Sequence, residues 1–145
     1  MSAPGRRGWA IAAAVVAAAI FVLSSIPAEQ LARTGIRIWD KAAHAGVYAA
    51  LTFCLARALG PGRWRLVLAI LLGAAYGVSD EFHQSFTPGR EVSGLDVVAD
   101  AVGAGLGAAL AALAMLRSRA WRSCAATTAS GPGSATRSFS PRPRR

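Results

Sequence analysis

Trp9 to Ile26 reads WAIAAAVVAAAIFVLSSI, a run without a single charged residue. An α-helix needs ~20 predominantly apolar residues to cross the hydrocarbon of a bilayer. Lipid offers nothing to hydrogen-bond an exposed backbone, so a run of this length and composition predicts a membrane-spanning helix. Arg6 and Arg7 stand just before it, and a basic start followed by an apolar run is also the form of a secretory signal. The run is long for a signal core, however, and Ile26-Pro27-Ala28 makes a poor small-x-small cleavage site, so the segment is expected to be retained as the first helix.

Outward from this run, three more stretches rich in Ala, Val, Leu, Ile and Gly occupy residues 42–59, 66–83 and 95–116. The expected fold is all-α: a polytopic four-transmembrane-helix bundle with helices at 9–26, 42–59, 66–83 and 95–116, forming one domain over residues 1–116. A chain of 145 residues leaves no room for a separate soluble catalytic domain. Residues 117–145 change character, to Ser, Ala, Gly, Pro and Arg, and are expected to be a disordered basic tail because they cannot bury enough apolar surface. Trp121, beside Arg117, Arg119 and Arg122, fits an interfacial anchor. Cys54 lies in the second run and Cys124 in the tail, and their spacing matches no metal or redox motif.

Charge sets the expected orientation. With the N-terminus inside, twelve basic residues and no acid fall on one side. Four basic residues (Arg33, Arg37, Lys41, Arg90) and all seven carboxylates (Glu29, Asp40, Asp80, Glu81, Glu91, Asp96, Asp100) fall on the other, which accounts for the formal charge of +9. Lys and Arg flanking short loops stay preferentially cytoplasmic. Both termini are therefore expected in the cytoplasm of a cell whose cytoplasmic membrane holds the chain, with the acidic side outside. The high isoelectric point then needs no nucleic acid to explain it, and the bilayer itself is the first partner.

The polar residues within the runs are spaced for helix faces. Asp40, His44 and Tyr48, four apart, form one stripe. Tyr76, Asp80, His83 and Gln84 share a face of the third run, with Glu81 pointing about 100° away. An acid near the middle of a bilayer costs ~2.5–3.5 kcal/mol on insertion scales, so Asp80 and Glu81 are expected to be paired, protonated, metal-bound or hydrated. Asp96 and Asp100 lie one turn apart and continue into Gly103 and Gly107, a small-residue stripe suited to close helix packing, with Gly73 and Gly77 offering a matching surface. Pro88-Gly89 fits the centre of a type II turn, presenting Arg90 at the mouth of the bundle. There it either clamps an anionic headgroup or pairs with Asp80, Glu81 or Asp96.

Several spaced motifs then occur in order. They are Ser24-Ser25-Ile26-Pro27; Asp40-Lys41-x-x-His44 with Tyr48; Tyr76-Gly77-x-x-Asp80-Glu81-x-x-Gln84-x-x-x-Pro88-Gly89-Arg90; and Asp96-Val97-x-Ala99-Asp100-x-x-Gly103 with Gly107. Over roughly residues 20 to 110 the chain resembles the VanZ-like family of small bacterial integral membrane proteins. Phenylalanine is frequent in that family where this chain has Ala45, and asparagine where it has Asp100. The resemblance implies association with resistance to glycopeptides such as teicoplanin, or an ordinary envelope function, through a mechanism the family name does not supply.

Three functions remain open on the sequence. The first is binding or transport of an amphipathic envelope molecule, a lipid-linked precursor or the glycopeptide itself, with Arg90, Asp96, Asp100, Gln84 and Tyr48 as ligand-binding candidates. The second is a membrane enzyme acting on a lipid or lipid-phosphate, with Asp40, His44, Asp80 and Glu81 as catalytic candidates. In its metal-assisted form His44, Asp80 and His83 are candidate ligands of a divalent cofactor, although no recognised motif such as H-E-x-x-H is present. The third is a structural partner of an envelope complex. Oligomeric state is not legible.

Overall fold

The computed structural model describes residues 5–33, 41–90 and 92–129, with the side chains of 31, 32, 119 and 121–129 excepted. Every regular element among them is helical: α1 (Arg6–Ser24), α2 (Ala28–Arg33), α3 (Lys41–Leu59), α4 (Arg63–Gln84) and α5 (Gly94–Ala129). Four of these, α1, α3, α4 and the first 25 residues of α5, are long and apolar enough to cross a membrane. At 1.5 Å per residue, the 19 residues of α1 span about 28 Å, close to the thickness of a hydrocarbon core.

The helix ends follow local chemistry. α1 stops at Ser24 because Pro27 disfavours helical geometry in the residue before it, and Ser25 turns its hydroxyl back to Phe21 O at 2.7 Å. α3 ends at Gly60, whose φ of +87° suits a glycine just past a helix and whose N–H reaches Ala56 O at 2.9 Å. α4 begins at Arg63 rather than 66, because Arg63, Trp64 and Arg65 are compatible with helix and simply extend it outside the apolar run. The short α2, six residues of mixed polarity that form no apolar run, carries an exposed Glu29–Arg33 pair at 2.6 Å.

α5 differs most from expectation. Its helix runs past 116 to Ala129, since the Ala and Arg residues that recur in this stretch favour helix. At 36 residues it is about 54 Å long, well beyond one bilayer crossing. Residues 130–145 and the side chain of Trp121 lie outside what the structure describes.

The packing inverts that of a water-soluble bundle. Much of the interior is small or polar, with Ala56, Ala69, Ala104 and Ala111 beside Thr52, Glu81, Gln84 and Asp100, and the larger Ile20, Tyr48 and Leu51 are buried among them. Large apolar residues such as Val15, Leu71, Leu106 and Leu113 face outward, which suits lipid and would be an aggregation hazard in water. α3 and α5 form the closest pair, as Gly103 and Gly107 of α5 ride directly on the backbone of Ala45 and Ala49 in α3. The glycine stripe thus faces the bundle as expected. Its partner is α3, whereas Gly73 receives Thr52 and Ala104, and Gly77 receives Asp100. α1 packs well on α3 but only sparsely on α4, which leaves a seam.

Candidate functional site

The C-terminal end of α4 meets the N-terminal ends of α3 and α5, and this junction gathers the carboxylates. Asp80 and Glu81 are consecutive, so helix geometry turns them about 100° apart, and both are buried. Asp80 faces α1 and α3, where its Oδ2 accepts from Gln84 Nε2 at 2.9 Å, and Gln84 also donates to Ser24 Oγ at 3.3 Å. Glu81 faces α5, where its Oε2 accepts the backbone N–H of Ser93 at 3.1 Å, a capping bond just ahead of the first turn of α5.

On α5, Asp100 is fully buried, and its Oδ1 lies 3.1 Å from His44 Nδ1 on α3. The lack of a side chain at Gly77 admits it: a Cβ there would come 2.9 Å from Asp100 Oδ2. Donor atoms of His44, Glu81 and Asp100 come within 4.8 Å of one another. Asp96, a turn nearer the helix start, is largely buried, and its Oδ1, which has no hydrogen bond among the described residues, sits 3.7 Å from the half-exposed Lys41 Nζ.

Arg90 emerges from the turn that the sequence indicated. Gly89 has φ +74°, and Arg90 N–H reaches Thr87 O at 3.1 Å, as a type II turn requires. The guanidinium donates to Leu23 O at 2.7 Å and Ile26 O at 3.2 Å, bonds that the sequence did not indicate. It thereby satisfies carbonyls left open at the end of α1. Burial lowers the pKa of Arg90 from its ordinary value, while the neighbouring Asp80 and Glu81 act in the opposite direction. Together with His44, Tyr48, Asp80, Gln84 and Ser24 it lines a cleft of about 40 Å³ between α1, α3 and α4, room for water-sized groups only.

On the far side of Asp80 lies the α1–α4 seam. Its polar end, about 270 Å³, is lined by Ser79, Asp80 and His83 with the rings of Phe21, Phe82 and Phe86. A separate apolar cavity further along, about 400 Å³, is lined by Ala10, Ala14 and Ala17 of α1, Leu51 and Leu55 of α3, and Leu72 of α4, and Tyr76 borders both. Tyr76 Oη donates to Ala17 O at 2.8 Å across the seam.

Of the candidates read from sequence, the structure brings His44, Tyr48, Asp80, Glu81, Gln84, Arg90, Asp96 and Asp100 to one end of the bundle. Asp40 lies outside the described residues. His83 does not join His44: it stacks on Phe21 with ring centroids 4.6 Å apart, and its Nε2 lies 3.0 Å from Ser25 Oγ. The convergent donor set is therefore His44, Glu81 and Asp100 in place of His44, Asp80 and His83, because Asp80 is held by Gln84 on another face of α4. Sequence reasoning gave no role to Phe21, Ser24 or Ser25. The Ser-Ser pair closing an otherwise apolar run was the available signal, since a hydroxyl there needs a partner.

A family model described as VanZ/LLP1 matches residues 9–116, and the chain belongs to that family. No curated protein and no solved structure matches the chain.

Proposed function

We propose that this VanZ/LLP1 family member binds an amphipathic envelope molecule in the α1–α4 seam, its polar head beside Asp80 and its acyl chain along the alanine face of α1. The observation that carries this reading is the division of the seam, with carboxylate, imidazole and hydroxyl at one end and Ala and Leu at the other. Ser79, Asp80 and His83 suit a head rich in hydroxyl or amine groups, such as that of a lipid-linked precursor or a teicoplanin-type glycopeptide. The basic end, with Arg6, Arg57, Arg63, Arg65 and Arg117, is taken as cytoplasmic, so the polar end opens to the outer leaflet of the cytoplasmic membrane. The small cleft behind Asp80 is too tight for such a head, which favours the seam as the binding surface.

Two substitutions test it. Ala14→Trp fills the apolar end and Asp80→Asn removes the charge at the polar end, and each is scored for membrane abundance and for labelling by a photoreactive lipid-linked amphiphile. Near-normal abundance with labelling reduced at least several-fold is expected. Labelling equal to that of the unmodified protein contradicts the proposal, and parallel loss of abundance and labelling marks a packing role instead. A membrane enzyme is the second reading, favoured by the His44–Asp100 pair, in which a carboxylate orients an imidazole beside the cleft. It predicts turnover of a lipid-phosphate that His44→Gln abolishes.

A further inference from the structure

We propose that His44, Glu81 and Asp100 hold a divalent transition-metal cation between α3, α4 and α5. Three helices each contribute one donor, and the donor atoms lie within 4.8 Å of one another. A tetrahedral site with bonds near 2.0 Å sets its ligands about 3.3 Å apart, so side-chain movements on the order of 1 Å close the ring.

The second observation is independent of that spacing. Glu81 is 3% exposed and Asp100 fully buried, and each has one oxygen, Glu81 Oε1 and Asp100 Oδ2, with no hydrogen-bond partner among the described residues. A buried carboxylate oxygen without a donor is costly, and more so in a medium of low dielectric. His44 already serves Asp100 Oδ1, and Lys41 Nζ, 3.7 Å from Asp96 Oδ1, lies beyond hydrogen-bond reach of that equally unpartnered oxygen. A cation between Glu81 and Asp100 meets the need of both open oxygens at once.

The donor chemistry narrows the ion. Carboxylates alone suit Mg²⁺ or Ca²⁺, whereas an imidazole among them favours Zn²⁺ or Mn²⁺. The site lies on the α5-facing side of α4 and the seam on its α1-facing side, so the cation does not depend on the amphiphile reading.

The test uses the full chain in detergent micelles, stripped with chelator and titrated with Mn²⁺ alone, with electron paramagnetic resonance as the readout. One Mn²⁺ per chain is expected, with nitrogen coupling from an imidazole, and Zn²⁺ should displace it. His44→Gln should remove the coupling, and the near-isosteric pair Glu81→Gln and Asp100→Asn should weaken binding by about tenfold or more. If these variants fail to elute as folded protein, the unmodified chain decides through the presence or absence of stoichiometric, nitrogen-coupled Mn²⁺. No stoichiometric binding, or binding that the Glu81→Gln and Asp100→Asn double variant retains unchanged, overturns the proposal.

Discussion

Two arginines do the same work at opposite ends of the bundle. Arg6 donates to Ala58 O at 2.8 Å and Leu59 O at 2.9 Å at the end of α3, while Arg90 donates to Leu23 O and Ile26 O past the end of α1. The last carbonyls of a helix have no partner of their own, and a cation there also complements the helix dipole. Arg90→Gln should therefore cost about 1.5–3 kcal/mol, the range for hydrogen bonds to charged groups, read as a lower midpoint of thermal unfolding in detergent. Arg90→Lys should fall between, because an ammonium cannot fork to two carbonyls as a guanidinium does. The His44–Asp100 contact invites a double-mutant cycle: His44→Ala and Asp100→Ala should each destabilise, and together by less than their sum, with a coupling of about 0.5–3 kcal/mol. Additive losses would show that the two side chains act separately.

The sharpest demand at the scale of elements is the approach of α3 and α5. Gly103 and Gly107 rest on the backbone of Ala45 and Ala49, where any Cβ collides, whereas a Cβ on Gly105 meets nothing within 4 Å. Gly103→Leu and Gly107→Leu should each cost more than the ~1–3 kcal/mol usual for overpacking, because carbonyl groups cannot yield as side chains do. Gly105→Leu should be tolerated. Extraction yield and a single gel-filtration peak measure the difference, and equal behaviour of Gly103→Leu and Gly105→Leu would remove the close-packed interface from the account. Here the reach of the sequence is visible. The spacing of Asp96, Asp100, Gly103 and Gly107 at i, i+4, i+7 and i+11 told which face of α5 turns inward, since that follows from helix geometry alone. It did not tell which helix the face meets, because spacing along one helix carries no information about its neighbours. Gly73 and Gly77 looked equally suitable and serve instead as hollows for Thr52 and Asp100. Likewise Asp80 and Glu81 were legible as diverging, whereas which of them joins His44 and Asp100 depends on how α4 packs against α3 and α5. For Arg90 the sequence left a headgroup clamp and a pair with Asp80, Glu81 or Asp96 equally open, because no sequence pattern reveals that a guanidinium will reach carbonyls more than sixty residues away.

Across the whole molecule, apolar bulk faces outward and polar groups face inward, and the described carboxylates gather at the end where α1 and α4 finish and α3 and α5 begin. Their gathering is fixed by contacts between distant segments: Ser24 to Gln84, His44 to Asp100, and Ala28 N–H to Pro88 O at 3.2 Å. The last of these requires the segment after α1 and the turn after α4 to share one side of the membrane. The opposite end carries Arg6 against the α3 terminus and the Gly60–Gly62 turn, and positive residues predict that this end faces the cytoplasm. The most direct test of this two-ended arrangement is cysteine accessibility in intact cells, in a background with Cys54→Ser and Cys124→Ser. Glu29→Cys and Pro88→Cys should both react with a membrane-impermeant reagent added from outside, and Pro61→Cys only after permeabilisation. Glu29→Cys and Pro88→Cys reporting from different compartments would contradict the fold and the site together.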